Sequence, residues 1–245
     1  MITENSIEIS YENIPAIAAR TLEHIKDNPA LATLGRPIPT QAELETKLNG
    51  FLDAIAPHTD RMKRDFNQEG LLVTDAMFEN YFEKKPSPAS PGSFSLSHKF
   101  PAPVLAIMSK EELTAVWLHE QGHDLLNHSA RLPQENTPET RKAMECEADH
   151  LSNHYSGNPE MMADALKIFS KIARSYGHPA PASHEPAASG VHPSQDERTG
   201  NITARLNQAQ IRPGEIKFDA SCNGTLMELA PLATDKTVTE PLHHK

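Results

Sequence analysis

His119 and His123 stand four residues apart in the segment AVWLHEQGHDLLNH (Ala115 to His128), with Glu120 directly after the first. On a helix, side chains at i and i+4 lie one above the other on a single face. Two imidazoles so placed aim at one point, as two ligands of a tetrahedral zinc would. Glu120 is one residue round the helix from His119, in reach of a water on the metal without binding the metal itself. Zinc makes such a water acidic and a neighbouring carboxylate can take its proton, so the pattern suits hydrolysis. Gly122 adds little to helix stability but lets another element approach closely. In a chain with 13 histidines the same letters also arise as a solvated helix face with paired charges. His128 extends the pattern to H-E-x2-H-x4-H, which has neither the spacing nor the glycine of a metzincin.

Two histidines leave zinc short of protein ligands, and a third should come from another element. MECEADHLSNHY (Met144 to Tyr155) puts Glu145 and Asp149 four apart on one helical face, with Glu147 turned elsewhere. A carboxylate ligand needs partners that fix its orientation, and Asp149 is placed to help organise them. The alternative is an acidic helix face with no ligand role. Cys146 is turned about 100° from the ligand face and reads as a small core residue. Glu147 and His150 form an E-x-x-H pair of the kind found in di-iron bundles, but a second pair and bridging glutamates are lacking.

The helices that must carry these residues have legible ends. Ser109 and Glu112 form a capping box that opens a helix from Lys110 to about Ala130. RLPQENTPET reads as a loop ending at Thr137, the N-cap of a helix with Pro138 in its first turn and Gly157 as its stop. Asn158 and Pro159 start the next helix, which Gly177 ends. Upstream, Ile14 to Ile25 has helical periodicity, and Thr40 with Glu43 caps a helix through Ile55. A further helix is expected over Ala76 to Lys84, followed by a loop over Lys84 to Ser93. PVLAIM (Pro103 to Met108) is expected to be an edge strand. His178 to Pro193 reads as irregular, Pro193 starts a helix through Leu206, and the tail after Ile211 gives little signal.

The chain of 245 residues is 38% hydrophobic and 23% charged, which suits a globular protein with a modest core. Its net charge of −10 argues against nucleic acid or an anionic membrane as partner. No stretch approaches the ~18 consecutive apolar residues of a membrane span. The N-terminus lacks the basic and apolar regions of a signal peptide. With only Cys146 and Cys222, a reducing compartment is the simpler expectation.

MSKEELTAVWLHEQGHDLLNH (Met108 to His128) resembles the zinc helix of the M48 metallopeptidase family, through Ser109, Glu111, Glu112, Leu113, His119, Glu120, Gly122, His123 and His128. Gln121 stands where an apolar residue is usual. ECEAD (Glu145 to Asp149) fits the family's E-x-x-x-D motif, and HPSQDER (His192 to Arg198) fits its H-P-x4-R. The resemblance covers about Pro103 to Leu206. It implies that Glu145 is the third ligand, that Arg198 supports the active-site carboxylates, and that His192 lies near the substrate. An arginine fork suits Glu145 or Asp149 as partner, and His192 could stabilise an oxyanion.

The expected fold is α+β and predominantly helical, zincin-like, with a small sheet and an H-E-x-x-H helix. The expected organisation is an N-terminal helical region over 1–85, a peptidase core over 86–211 and a tail over 212–245. The expected activity is that of a soluble zinc-dependent endopeptidase acting on a peptide or protein substrate. It would have one Zn2+ per chain on His119, His123 and Glu145, Glu120 as general base, His192 and Arg198 as further catalytic residues, and Asp149 behind the ligands. Location would be cytoplasmic, or exported without a recognisable signal. The alternatives are a catalytically silent zincin-like binding protein and a secreted effector protease acting on a host protein.

Overall fold

The computed structural model describes residues 6–67, 72–78, 97–176, 193, 197–200 and 215–226. It is mostly helical with a small mixed sheet. Strand β1 (Ser6–Glu8) leads into helix α1 (Ile14–Ile25), a 3-10 segment (Pro29–Leu34) and the long helix α2 (Gln41–Asp65). Strands β2 (Val73–Met77) and β3 (Ser97–Pro101) follow, then the short helix α3 (Ala102–Ile107). Helices α4 (Lys110–Leu125), α5 (His128–Glu135), α6 (Pro138–Ser156) and α7 (Pro159–Ser175) complete the helical body. A hairpin of β4 (Ile216–Phe218) and β5 (Gly224–Leu226) packs on α6.

The first sheet has the order β1-β2-β3, with β1 antiparallel and β3 parallel to β2. Thr74 of β2 faces His98 of β3, and Ala76 faces Phe100. Phe100 meets Phe51 of α2 edge-on at 5.8 Å, which ties the sheet to the helices. One continuous core runs from Ile7 through Ile17, Leu48, Leu105 and Trp117 to Ile172. Among the described residues no helix is long and apolar enough to cross a membrane.

Both capping boxes form. Thr40 Oγ1 accepts from Glu43 N at 3.3 Å while Glu43 Oε2 accepts from Thr40 N at 2.7 Å. Ser109 Oγ and Glu112 repeat the exchange at the head of α4, at 3.2 and 2.8 Å. Arg36 forks the Glu112 carboxylate at 2.5 and 2.7 Å, anchoring that helix start to the N-terminal half. Thr137, Pro138 and Gly157 bound α6 as their types require, with Gly157 in the left-handed region at φ 64°. Asn158 caps α7 by accepting from Glu160 N at 3.1 Å.

Several expectations are overturned. Pro103 to Met108 is not a strand: Ala102–Ile107 is helical and all six residues are buried. An unbroken apolar run carries no period, and Pro103 sits at the start of the helix, where its missing N–H is harmless. The strand lies just upstream in Ser97–Pro101. Ala76 and Met77 are strand, not helix. The helix of the two histidines ends at Leu125, because Asn127 adopts φ 55°, and α5 occupies much of the expected loop after Ala130.

Within 212–245, the hairpin turns over Asp219 to Asn223. Asp219 Oδ1 accepts from the backbone N–H of Ser221 at 2.9 Å and of Asn223 at 2.8 Å. Cys146, expected to be a small core residue, is joined to Cys222 in a disulfide with their Cα atoms 5.3 Å apart. Their separation of 76 positions conceals that proximity in the sequence. The expected loop over Lys84 to Ser93, the irregular stretch over His178 to Pro193 apart from Pro193 itself, and most of the helix expected after Pro193 lie outside the described residues. Residues 197–200 are helical.

Candidate metal centre

Helices α4 and α6 make the most extensive helix pair of the structure. They meet where Gly122 faces Ala148, and Ser152 Oγ of α6 donates to the carbonyl of Ala115 on α4 at 3.0 Å. This crossing brings the histidine face of α4 against the acidic face of α6. His119, His123 and Glu145 each offer a donor atom, and these lie within 4.8 Å of one another. His119 Nε2 is 3.2 Å from His123 Nε2 and 3.4 Å from Glu145 Oε2, and His123 Nε2 is 3.5 Å from Glu145 Oε1. This group could hold a metal ion.

Behind the donors the partners are specific. His119 Nδ1 lies 2.9 Å from Asp149 Oδ1, which turns its Nε2 toward His123 and Glu145. Arg198 donates to both oxygens of Asp149, from Nε at 2.8 Å and Nη2 at 2.6 Å. Its Nη1 stands 3.7 Å from Glu145 Oε2. Of the two carboxylates left open as partners for the guanidinium, Asp149 takes the fork. Arg198 is itself buried, as Asp149 is.

The electrostatics follow from this crowding. Burial opposes a charge on His119, but Asp149 and Glu145 outweigh it and raise the imidazole to about 10. Burial and the neighbouring His119 push His123 down to about 4. Burial raises Asp149, yet Arg198 and His119 hold it below the usual carboxylate range. An ion arriving between the histidines must therefore displace a proton from His119.

Glu120 extends beyond the crossing with 43% of its side chain exposed. Burial works to raise its pKa, but His98, His119 and His123 bring it to about 2, so the carboxylate is ionised. His98, on β3, was not singled out from the sequence. Its Nδ1 lies 3.6 Å from Glu120 Oε2 and its Nε2 lies 2.9 Å from Asp124 Oδ2. No motif marks it, because its nearness to Glu120 depends on a strand packing beside a helix about twenty residues further along the chain. A second unmarked contact lies behind His123, where His128 Nδ1 comes within 2.9 Å of His123 Nδ1.

Of the residues expected from the sequence, the structure brings together His119, His123, Glu145, Asp149 and Arg198, with Glu120 beside them. His192 lies outside the described residues. Among the described residues Glu147 and His150 belong to no second group of metal-ligating side chains: Glu147 bonds His128 and Arg131, and His150 packs against Phe218 with ring centres 5.6 Å apart. The chain matches no protein-family model, no curated protein and no solved structure.

Proposed function

We propose that the protein is a zinc-dependent endopeptidase of the zincin type, with one zinc held by His119, His123 and Glu145. The observation that carries this reading is the spacing of the donors, 3.2, 3.4 and 3.5 Å. Tetrahedral zinc with bonds of ~2.0–2.1 Å has donors roughly 3.3–3.4 Å apart, so the three atoms fit three corners of such a polyhedron. The donor set of two imidazoles and one carboxylate is that of a catalytic site, which keeps a position for substrate. Resemblance of the three ordered motifs to the M48 metallopeptidases supports the same reading.

Zinc in that position supplies Lewis acidity, polarising a peptide carbonyl and making water more acidic. Glu120 is the ionised, half-exposed carboxylate that accepts the proton of the attacking water and hands it to the leaving amine. His98 and Asp124 fix one side of that carboxylate. Asp149 and Arg198 hold His119 and Glu145 in register. Among the described residues strand β3 is at the sheet edge, so an extended peptide can add to it by main-chain hydrogen bonds. The segment expected to be an edge strand, Pro103 to Met108, lies almost wholly in the buried helix Ala102–Ile107 and cannot take that role. His192 remains assigned near the substrate by the resemblance alone.

Between a cytoplasmic enzyme and an exported one, the Cys146–Cys222 disulfide favours export, since such bonds persist in oxidising compartments. An effector protease acting outside the producing cell fits that choice. The deciding experiment is zinc per chain by elemental analysis, for the wild type and for Glu145→Ala. About one zinc in the wild type and a clear loss in the variant supports the site. A wild type that takes up none on reconstitution removes the metallopeptidase reading and leaves a binding protein.

A further inference from the structure

Both histidines of the α4 pair present Nε2 to Glu145, yet their far nitrogens meet different partners. His119 Nδ1 faces a carboxylate directly, that of Asp149 at 2.9 Å. His123 Nδ1 faces another imidazole, His128 Nδ1 at 2.9 Å, and among the described residues no carboxylate bonds it. His128 is buried, and its other nitrogen, Nε2, lies 2.8 Å from Glu147 Oε2. Arg131 Nη1 donates to the same oxygen at 2.7 Å. The chain Arg131–Glu147–His128–His123 thus ends on the second histidine much as Arg198–Asp149 ends on the first.

For a neutral His128 the direction of the protons in this chain follows from the contacts. An ionised carboxylate has only acceptors, so the atom between Glu147 Oε2 and His128 must be a proton on Nε2. A neutral His128 then has a lone pair on Nδ1 and can only accept there. The contact with His123 is a hydrogen bond only if His123 Nδ1 carries the proton. That leaves His123 Nε2 as the bare nitrogen, turned toward His119 and Glu145. Without His128, a proton on His123 Nδ1 loses the acceptor that the described residues provide for it.

We propose that His128, held by Glu147 and Arg131, is a positioning residue that sets the tautomer and ring orientation of His123 for metal binding. The proposal rests on the reading of His119, His123 and Glu145 as a metal site. It gives Glu147 a purpose that its place between two candidate acids does not suggest. It also explains why α4 stops at Leu125: the left-handed Asn127 starts a new helix whose first residue, His128, folds back under His123. A continuous helix would place residue 128 about 500° round from residue 123, some 140° away from it.

The test is zinc affinity by competition with a chelating indicator, on the full chain, for the wild type, His128→Phe and Glu147→Gln. Phenylalanine keeps the volume and removes the acceptor, while glutamine keeps the shape and removes the charge. Loss of such an outer partner weakens metal binding roughly 10- to 100-fold. We expect His128→Phe within that range and Glu147→Gln at its lower end. In parallel, nitrogen-15 spectra of the metal-free protein report the tautomer of His123. We expect Nδ1–H in the wild type and a shift toward Nε2–H in His128→Phe, a change that a merely structural role would not produce. Equal zinc affinity in all three proteins, or Nε2–H in the wild type, overturns the proposal and leaves the metal site standing. A wild type that binds no zinc overturns the metal site and the proposal together.

Discussion

Gly122 on α4 lies so close to Ala148 on α6 that a Cβ at position 122 would stand 3.0 Å from the Cα of Ala148 and 3.2 Å from its Cβ. The neighbour is helix backbone and cannot swing away as a side-chain end would. This contact sets the distance between the two faces that carry the donors, with Glu145 one turn before Ala148. We expect Gly122→Ala to destabilise. Overpacking costs ~1–3 kcal/mol, against a gain of ~1 kcal/mol in helix propensity. Urea unfolding should show a lower midpoint, and zinc uptake should weaken with it. A variant as stable as the wild type with full zinc would show that the helices separate freely.

The buried fork from Arg198 to Asp149 makes a second prediction. Removing one partner of a buried pair strands the other, at a cost on the order of 3–5 kcal/mol. Arg198→Ala should therefore lower the unfolding free energy by up to that amount, because the buried Asp149 loses the fork and keeps its contact with His119. Asp149→Ala leaves the buried Arg198 with the longer 3.7 Å contact to Glu145 in place of the fork. The double variant should cost clearly less than the sum of the two single ones, as coupled residues do. Additive costs would mean that the guanidinium and carboxylate do not depend on each other.

How much of this was legible in the sequence depends on how local the signal is. The capping pairs Thr40/Glu43 and Ser109/Glu112, and the bounds Pro138 and Gly157, are short-range chemistry and appear where the sequence places them. His119, His123, Glu145 and Asp149 could be grouped because helical periodicity turns spacing into a face. Pro103 to Met108 misleads because a fully buried element has no polar side to reveal its period. The end of α4 was missed because Asn127, unlike glycine or proline, does not declare a left-handed turn. His98 and the Cys146–Cys222 bond are products of tertiary packing, and no local rule reaches them.

His98 carries a pH dependence. Burial lowers its pKa, but hydrogen bonds to Asp124 and Glu120 outweigh that and raise it to about 9, against an ordinary 6.5. A group raised on folding contributes stability that is whole below the unfolded pKa and lost as pH rises through the folded one. The metal-free protein should thus lose stability between about pH 6.5 and 9 from this source. In His98→Gln that slope should flatten. Unfolding midpoints at several pH values across the interval decide it, and identical slopes in the two proteins would count against the His98–Asp124 pairing.

Glu120→Gln separates binding from chemistry. Glu120 is not among the three donors, so the variant should keep the wild-type complement of zinc and its unfolding midpoint to within a few degrees. Loss of a positioned general base costs about 10²–10⁴-fold in turnover. Peptide hydrolysis by the variant should fall at least that far under saturating substrate. A variant that turns over at the wild-type rate would remove Glu120 from the mechanism while leaving the metal site untouched.

The Cys146–Cys222 bond fastens the β4–β5 hairpin to α6 next to Glu145. It closes a cluster in which Ala143, Cys146, Ile216, Phe218 and Cys222 are all buried. Five residues of that size make a small core, so the hairpin depends on the cross-link more than the helices do. In the chain-entropy account, closing a loop of 76 residues restricts the unfolded state by roughly 4 kcal/mol, and measured values are commonly 2–4 kcal/mol. We expect Cys222→Ser, or treatment with a dithiol reductant, to lower the unfolding free energy by about 2–4 kcal/mol. Proteolysis should then cut first around residues 215–226, while α4 and α6 resist. If the reduced protein were as protease-resistant at the hairpin as the oxidised one, the apolar contacts of Ile216 and Phe218 would suffice to hold it, and the disulfide would be dispensable for the hairpin.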